Sequence, residues 1–212
     1  MVLKSIWIWS LAFALAATTA AAGGGNSAER LAEELRSYRT FQADFVQTVI
    51  DAQGAKVQEA RGTLKAKRPG LFYWKTEEPM RQFISADGDR VTVYDPDLEQ
   101  VTIHPMDEQV AGTPALLLSG EVENLAATYD VTSRSFGEKT REYTLVPKSE
   151  DSLFLALTLT FYDGELQEMR LEDSLEQRSV LNFDNIRINE EIPDSAFELE
   201  YPDTVDVIQG AG

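Results

Sequence analysis

Arg61-Gly62-Thr63-Leu64-Lys65-Ala66-Lys67-Arg68-Pro69-Gly70-Leu71-Phe72-Tyr73-Trp74-Lys75 is the stretch whose reading decides the fold, together with Gln82-Phe83-Ile84-Ser85-Ala86-Asp87-Gly88-Asp89-Arg90-Val91-Thr92-Val93-Tyr94-Asp95 beyond a short proline-containing link. Gly62, Leu64 and Ala66 alternate with Thr63, Lys65 and Lys67, the period of two that marks a half-buried strand. Extending the row puts Arg68 at the far end of the apolar face. Pro69-Gly70 then turns the chain, and the bulky run Leu71 to Trp74 returns. An arginine aimed among apolar side chains is costly unless its donors find partners. It is the first residue to suggest more than a filled core.

The same periodicity extends in both directions. Phe41, Ala43 and Phe45 open a strand running to Ile50, and Asp51-Ala52-Gln53-Gly54 supplies its hairpin turn. Further strands are expected over Leu71–Thr76, Gln82–Ala86, Arg90–Tyr94 and Gln100–Ile103, then over Tyr129–Phe136, Tyr143–Pro147, Leu153–Tyr162, Leu166–Asp173 and Arg178–Ile188. Connections this short leave no room for crossover helices, so pairing should be antiparallel and sequential. In Leu153–Tyr162 the residues Leu153, Leu155, Leu157, Leu159 and Phe161 share a face. In the last strand the apolar phase slips between Phe183 and Ile186, which predicts a bulge near Asp184–Asn185. The tail from Phe197 to Ile208 can add a short edge strand.

Two apolar helical segments interrupt the strands. Asn26-Ser27 is a candidate cap for a helix to Tyr38, with Ala28, Leu31, Leu35 and Tyr38 in one stripe. Thr113-Pro114 opens a second, apolar almost all round through Leu118 and ended by Gly120. A sheet of about eleven antiparallel strands tends to curl, and two such helices need something apolar to cover.

The N-terminus sets the compartment. Met1 to Ala22 has a lone Lys4, an apolar run from Ile6 to Ala17 and an Ala20-Ala21-Ala22 exit, the plan of a cleavable signal peptide rather than a membrane anchor. The expected organisation is a leader over 1–22 and one domain over 23–212. Without the leader, 18 basic residues face 36 acidic ones, a net charge of −18. That charge argues against nucleic acid and anionic membrane surfaces. There is no cysteine, so the expected domain is held by its core and is not itself anchored through a lipidated N-terminal thiol.

Chemistry is sparse. His104 is the one histidine of the chain and, with no cysteine beside it, does not make a zinc site. Asp87, Asp89, Asp95 and Asp97 lack the spacing of a calcium loop and are better read as turn formers. No nucleophile elbow, phosphate loop or dinucleotide fingerprint is present. No catalytic, metal-binding or cofactor role is therefore expected.

The strings F-Q-A-D-F-V-Q-T (Phe41 to Thr48), G-T-L-K-A-K-R-P-G-L-F-Y-W (Gly62 to Trp74), D-G-D-R-V-T-V-Y-D-P-D-L-E-Q-V-T (Asp87 to Thr102) and T-P-A-L-L-L (Thr113 to Leu118) resemble the LolA family of periplasmic lipoprotein carriers. The resemblance implies an unclosed antiparallel half-barrel with a helical lid over a hydrophobic cavity for lipoprotein acyl chains. It implies that Arg68 bonds to lid groups and holds the empty cavity shut, with Leu35 close by. It also implies that Phe72 lies where cargo passes to an outer-membrane receptor. On this reading the cavity is lined from the strands by Phe41, Phe45, Leu64, Phe72, Trp74, Ile84, Val91, Val93, Leu157, Leu159 and Met169, and from the lid by Leu116, Leu117 and Leu118. The implied partners are acylated lipoproteins, an inner-membrane ABC-type releasing transporter and the outer-membrane receptor, met as a monomer. The chain ends soon after Asp206, so an extra C-terminal strand should be short or missing.

Three other readings are open. A receptor of this architecture would need a lipidated cysteine. An envelope-sensing regulatory domain that binds lipid or peptide would continue into a second domain. A hydrolase would need a nucleophile–base pair.

Overall fold

The computed structural model describes residues 24–106, 117–120, 122, 124–150, 152 and 154–210. The leader, the start of the expected second helix, and Leu116 and Leu153 lie outside them. Helix α1 (Gly24–Arg36) is followed by β1 (Thr40–Ile50), β2 (Lys56–Lys67), β3 (Leu71–Glu78), β4 (Gln82–Asp87), β5 (Arg90–Asp95) and β6 (Gln100–Pro105). A one-turn helix, α2 (Leu125–Thr128), precedes β7 (Tyr129–Phe136), β8 (Thr140–Pro147), β9 (Ala156–Tyr162), β10 (Glu165–Glu172), β11 (Arg178–Ile188) and β12 (Asp206–Gln209).

All twelve strands form one sheet in the order β12-β6-β5-β4-β3-β2-β1-β11-β10-β9-β8-β7. The sheet is unclosed, with β12 and β7 at opposite ends of the order. Pairing is sequential and antiparallel, as the short connections require, with two exceptions. β1 pairs with β11 and joins the two halves, and β12 lies parallel to β6. The C-terminal strand is therefore present but short. Its exit is tight: Gly210 N–H donates to Ile103 O at 2.7 Å, and a Cβ there would lie 2.2 Å from His104 Nδ1.

The expected bulge falls where the phase slips. Gln42 opposes Arg187 and Asp44 opposes Asp184, so β11 carries one extra residue. Asn185 takes a positive φ of 51° there and donates to Asp44 Oδ2 at 2.6 Å, a conformation asparagine tolerates better than most residues. Asp87 likewise acts as a turn former, accepting from Asp89 N–H and Arg90 N–H, each at 3.0 Å.

Two expectations need correction. Helix α1 begins at Gly24 and ends at Arg36, so Ser27 is not its cap; its hydroxyl lies 2.9 Å from that of Ser133. Strand β9 starts at Ala156, and Leu155 is 55% exposed. Phe154 takes the inward place before the strand and stacks on Tyr129 with centroids 6.2 Å apart.

Helix α1 covers the inner face of the β7–β11 half. Ala28, Leu31, Leu35 and Tyr38, the stripe read from the sequence, are all buried. Two polar fastenings fix the helix. Tyr38 Oη donates to Gly164 O at 2.6 Å and accepts from Leu166 N–H at 3.0 Å. Glu34 Oε1 takes Arg141 Nη1 and, at 3.0 Å, Tyr143 Oη. Burial pushes both phenols upward in pKa, so each stays a neutral donor.

Two substitutions test this packing. At Gly62 a Cβ would meet Lys75 O at 1.9 Å and Phe45 Cζ at 2.7 Å. Gly62→Ala is expected to destabilise the fold by at least about 2 kcal/mol, since backbone must move. Tyr38→Phe leaves the buried Leu166 N–H without its partner and should cost about 1–3 kcal/mol. Urea unfolding of both variants against the parent chain measures these differences.

Candidate functional site

Arg68 is the point where three parts of the chain meet. It directly follows β2, and its own N–H donates to Arg39 O at 2.9 Å. The half-buried guanidinium donates from Nε to Leu35 O at 3.3 Å and Tyr38 O at 3.2 Å. Leu35 O, in the last turn of α1, also accepts from Tyr38 N–H at 3.1 Å, and Tyr38 O lies just beyond the helix. On its other side, Nη2 donates to Leu117 O at 2.8 Å and Nη1 to Gly120 O. Gly70 N–H adds a bond to Ser119 O at 2.8 Å. A planar fork with five donors can span two covering segments in this way; a lysine ammonium cannot match it. Leu35 is fully buried beside it. Leu117 and Leu118, the described part of the expected lid helix, are buried too.

A cavity of about 610 Å³ lies on the inner face of β1–β5, and neither Arg68 nor the segments it ties is among the residues that line it. Phe72, Trp74, Ile84, Val91 and Val93 line it, five of the residues expected from the sequence. Strand register explains their convergence. Ala66, Phe72, Ala86 and Val91 form one cross-strand row, and Leu64, Trp74, Ile84 and Val93 form the next. A third row brings Gly62 opposite Thr76 and Thr76 opposite Gln82.

The remaining expected lining residues are not on this cavity. Phe41, Phe45, Leu64, Leu117, Leu118, Leu157, Leu159 and Met169 are buried in the packed core. Phe41 stacks on Tyr38 and meets Phe183 edge-on, each at 5.7 Å. Phe45 fills the space over Gly62 and lies against Trp74 with centroids 4.0 Å apart. Leu157, Leu159 and Met169 sit in the half that α1 covers. The lidded half is thus filled with side chains, and the hollow is in the other half.

Sequence reading passed over the polar end of the cavity. Gln47, Gln58, Thr76, Gln82, Asp95 and Asp97 line it along with Arg81, Met80 and Leu98. Gln82 Nε2 donates to Asp95 Oδ1 at 2.8 Å, and Arg81 Nη2 to Asp97 Oδ1 at 2.9 Å. The Arg81 bond holds the Asp97 carboxyl below the usual carboxylate range. The signal was in the sequence: Phe72-x-Trp74-x-Thr76, Gln82-x-Ile84-x-Ala86 and Val91-x-Val93-x-Asp95 each change from apolar to polar at the same cross-strand level.

Comparison with known proteins agrees with this architecture. Residues 36–200 match the family model described as outer membrane lipoprotein carrier protein LolA. An outer-membrane lipoprotein carrier protein of Chromohalobacter salexigens is 46% identical over 208 residues, covering 96% of this chain and 98% of that one. One from Hahella chejuensis is 46% identical over 200 residues, with 93% and 96% covered. Among solved structures, an uncharacterized conserved protein from Thermus thermophilus has a TM-score of 0.53 at 14% identity, covering 88% of this chain and 99% of that one; the likeness is one of fold. The chain belongs to the LolA family of outer-membrane lipoprotein carrier proteins.

Proposed function

We propose that this chain carries lipoproteins across the periplasm by holding their acyl chains in the β1–β5 cavity, with Arg68 as the latch that sets its affinity. The observation that carries the reading is the hollow of about 610 Å³ walled by Phe72, Trp74, Ile84, Val91 and Val93 on the inner face of the sheet. Its volume suits a ligand site rather than a packing defect. Cargo would come from an inner-membrane ABC-type transporter and pass to an outer-membrane receptor, with Phe72 near the point of transfer. The work is binding and release, with no bond made or broken.

The energetics explain why a latch is useful. Burying one sixteen-carbon chain gains about 12 kcal/mol relative to water, at about 0.8 kcal/mol per methylene. A membrane offers the same gain, so hydrophobic burial does not by itself drive cargo from one membrane to the other. What the protein controls is the difference between its own empty and loaded states. Cargo too bulky for the hollow alone would push α1 and the Leu117–Gly120 segment apart, which breaks the bonds of the guanidinium to their carbonyls. Hydrogen bonds to a charged donor contribute about 1.5–3 kcal/mol each, less for a half-buried one. Their loss on loading weakens retention, and their return on closing helps expel the ligand.

Arg68→Leu should therefore bind acylated lipoprotein more tightly and release it to the receptor at least about tenfold more slowly, the effect of roughly 1.4 kcal/mol. Transfer from purified, loaded carrier to purified receptor, followed by gel filtration, measures this. A transfer rate unchanged by the substitution would refute the latch.

A further inference from the structure

The cavity changes character along its strands. Its two deeper rows are apolar, and burial of a hydrocarbon tail against them is non-directional. They cannot tell the tail of a lipoprotein from the same tail on another amphiphile. The third level is different. Gln82 and Asp95 are joined there by the 2.8 Å bond, and Arg81 and Asp97 by the 2.9 Å ion pair at the rim. Arg81 is thus matched by Asp97, while Asp95, among the described residues, forms no ion pair and is held by a neutral amide. The mouth carries a net negative charge, on a chain whose total is −17, and the low-dielectric walls behind it strengthen its field.

We propose that this mouth selects cargo by head-group charge: Asp95 and Asp97 admit acyl chains borne on uncharged ester and amide groups and turn away the same chains on an anionic carboxylate or phosphodiester. The proposal rests on the acyl-carrier reading above and adds what discriminates between ligands. The apolar rows accept the same tail equally whichever head group carries it. Discrimination must then come from a repulsive element against the wrong head, and a fixed carboxylate at the entrance supplies one. An acylated polypeptide end, with ester and amide carbonyls and amide N–H groups, meets no such repulsion and can hydrogen-bond to Gln82 and Thr76.

The test uses two probes with one tail: laurate, anionic at pH 8, and its neutral glyceryl monoester. Affinities are measured by calorimetry on the parent chain and on D95N, which keeps the Arg81–Asp97 pair, at low salt, and on the parent chain again in about 1 M salt, where the Debye length falls to about 3 Å. Because the two heads also differ in hydration, the change in the ester-to-laurate preference is the readout. The expected result is a preference reduced by about tenfold in D95N, through tighter laurate binding, and a similar loss in the parent at high salt. A preference that survives both would overturn the filter. Binding of neither probe by the parent chain would overturn the acyl-carrier reading itself, and the filter with it. If the variant does not fold, the salt series on the parent decides alone.

Discussion

A single guanidinium ties three separate parts of this chain together. Arg68 joins the end of β2 to carbonyls of α1 on one side and of Leu117–Gly120 on the other. Both covering segments also share one apolar core, which holds Leu31 and Leu35 of α1 together with Leu117 and Leu118. Removing the fork would leave several carbonyls to water or to nothing, and a half-buried charge elsewhere in so apolar a neighbourhood would be unfavourable.

The sheet has a division of labour that follows from where α1 lies. Over β7–β11 the helix presents Leu31, Leu35 and Tyr38, and the inner face beneath is filled by Tyr143, Leu157, Leu159 and Phe161. Over β2–β5 no part of α1 fills the space in the same way, and Phe72, Trp74, Ile84, Val91 and Val93 are left facing a hollow. One half provides rigidity and the other provides room. Strand β1, paired to β2 and β11, joins them, and Phe45 at the boundary packs against Trp74 at the wall of the cavity. A ligand in the hollow therefore bears directly on the core that supports the lid.

Much of this was legible in the sequence, for identifiable reasons. The period-two runs placed the strands, with Tyr129–Phe136 and Arg178–Ile188 bounded as expected, and the slip of phase near Asn185 gave the bulge. Arg68 stood out as a charge at the end of an apolar row. Filled and hollow inner faces, by contrast, are written with the same letters. Leu157 and Ile84 both read as inward-facing aliphatics, and only the placement of α1, a tertiary fact, decides that one is packed and the other borders space. Leu155 fits the alternation equally well but lies before the first paired residue of β9 and turns outward. The carbonyls that Arg68 binds are backbone groups, and a pattern of side chains does not reveal them.

The claim on which the account depends is that acyl chains occupy the β1–β5 hollow. The three tryptophans are Trp7, Trp9 and Trp74, so a chain lacking residues 1–22 carries Trp74 alone, on the wall of that hollow. Fluorescence of this chain, titrated with a triacylated lipopeptide brominated along its acyl chains and with its unbrominated twin, reads the site directly. The account predicts strong quenching by the brominated ligand at one equivalent and none by the other. Stoichiometric binding of both with Trp74 emission equally unquenched would place the acyl chains elsewhere and contradict it.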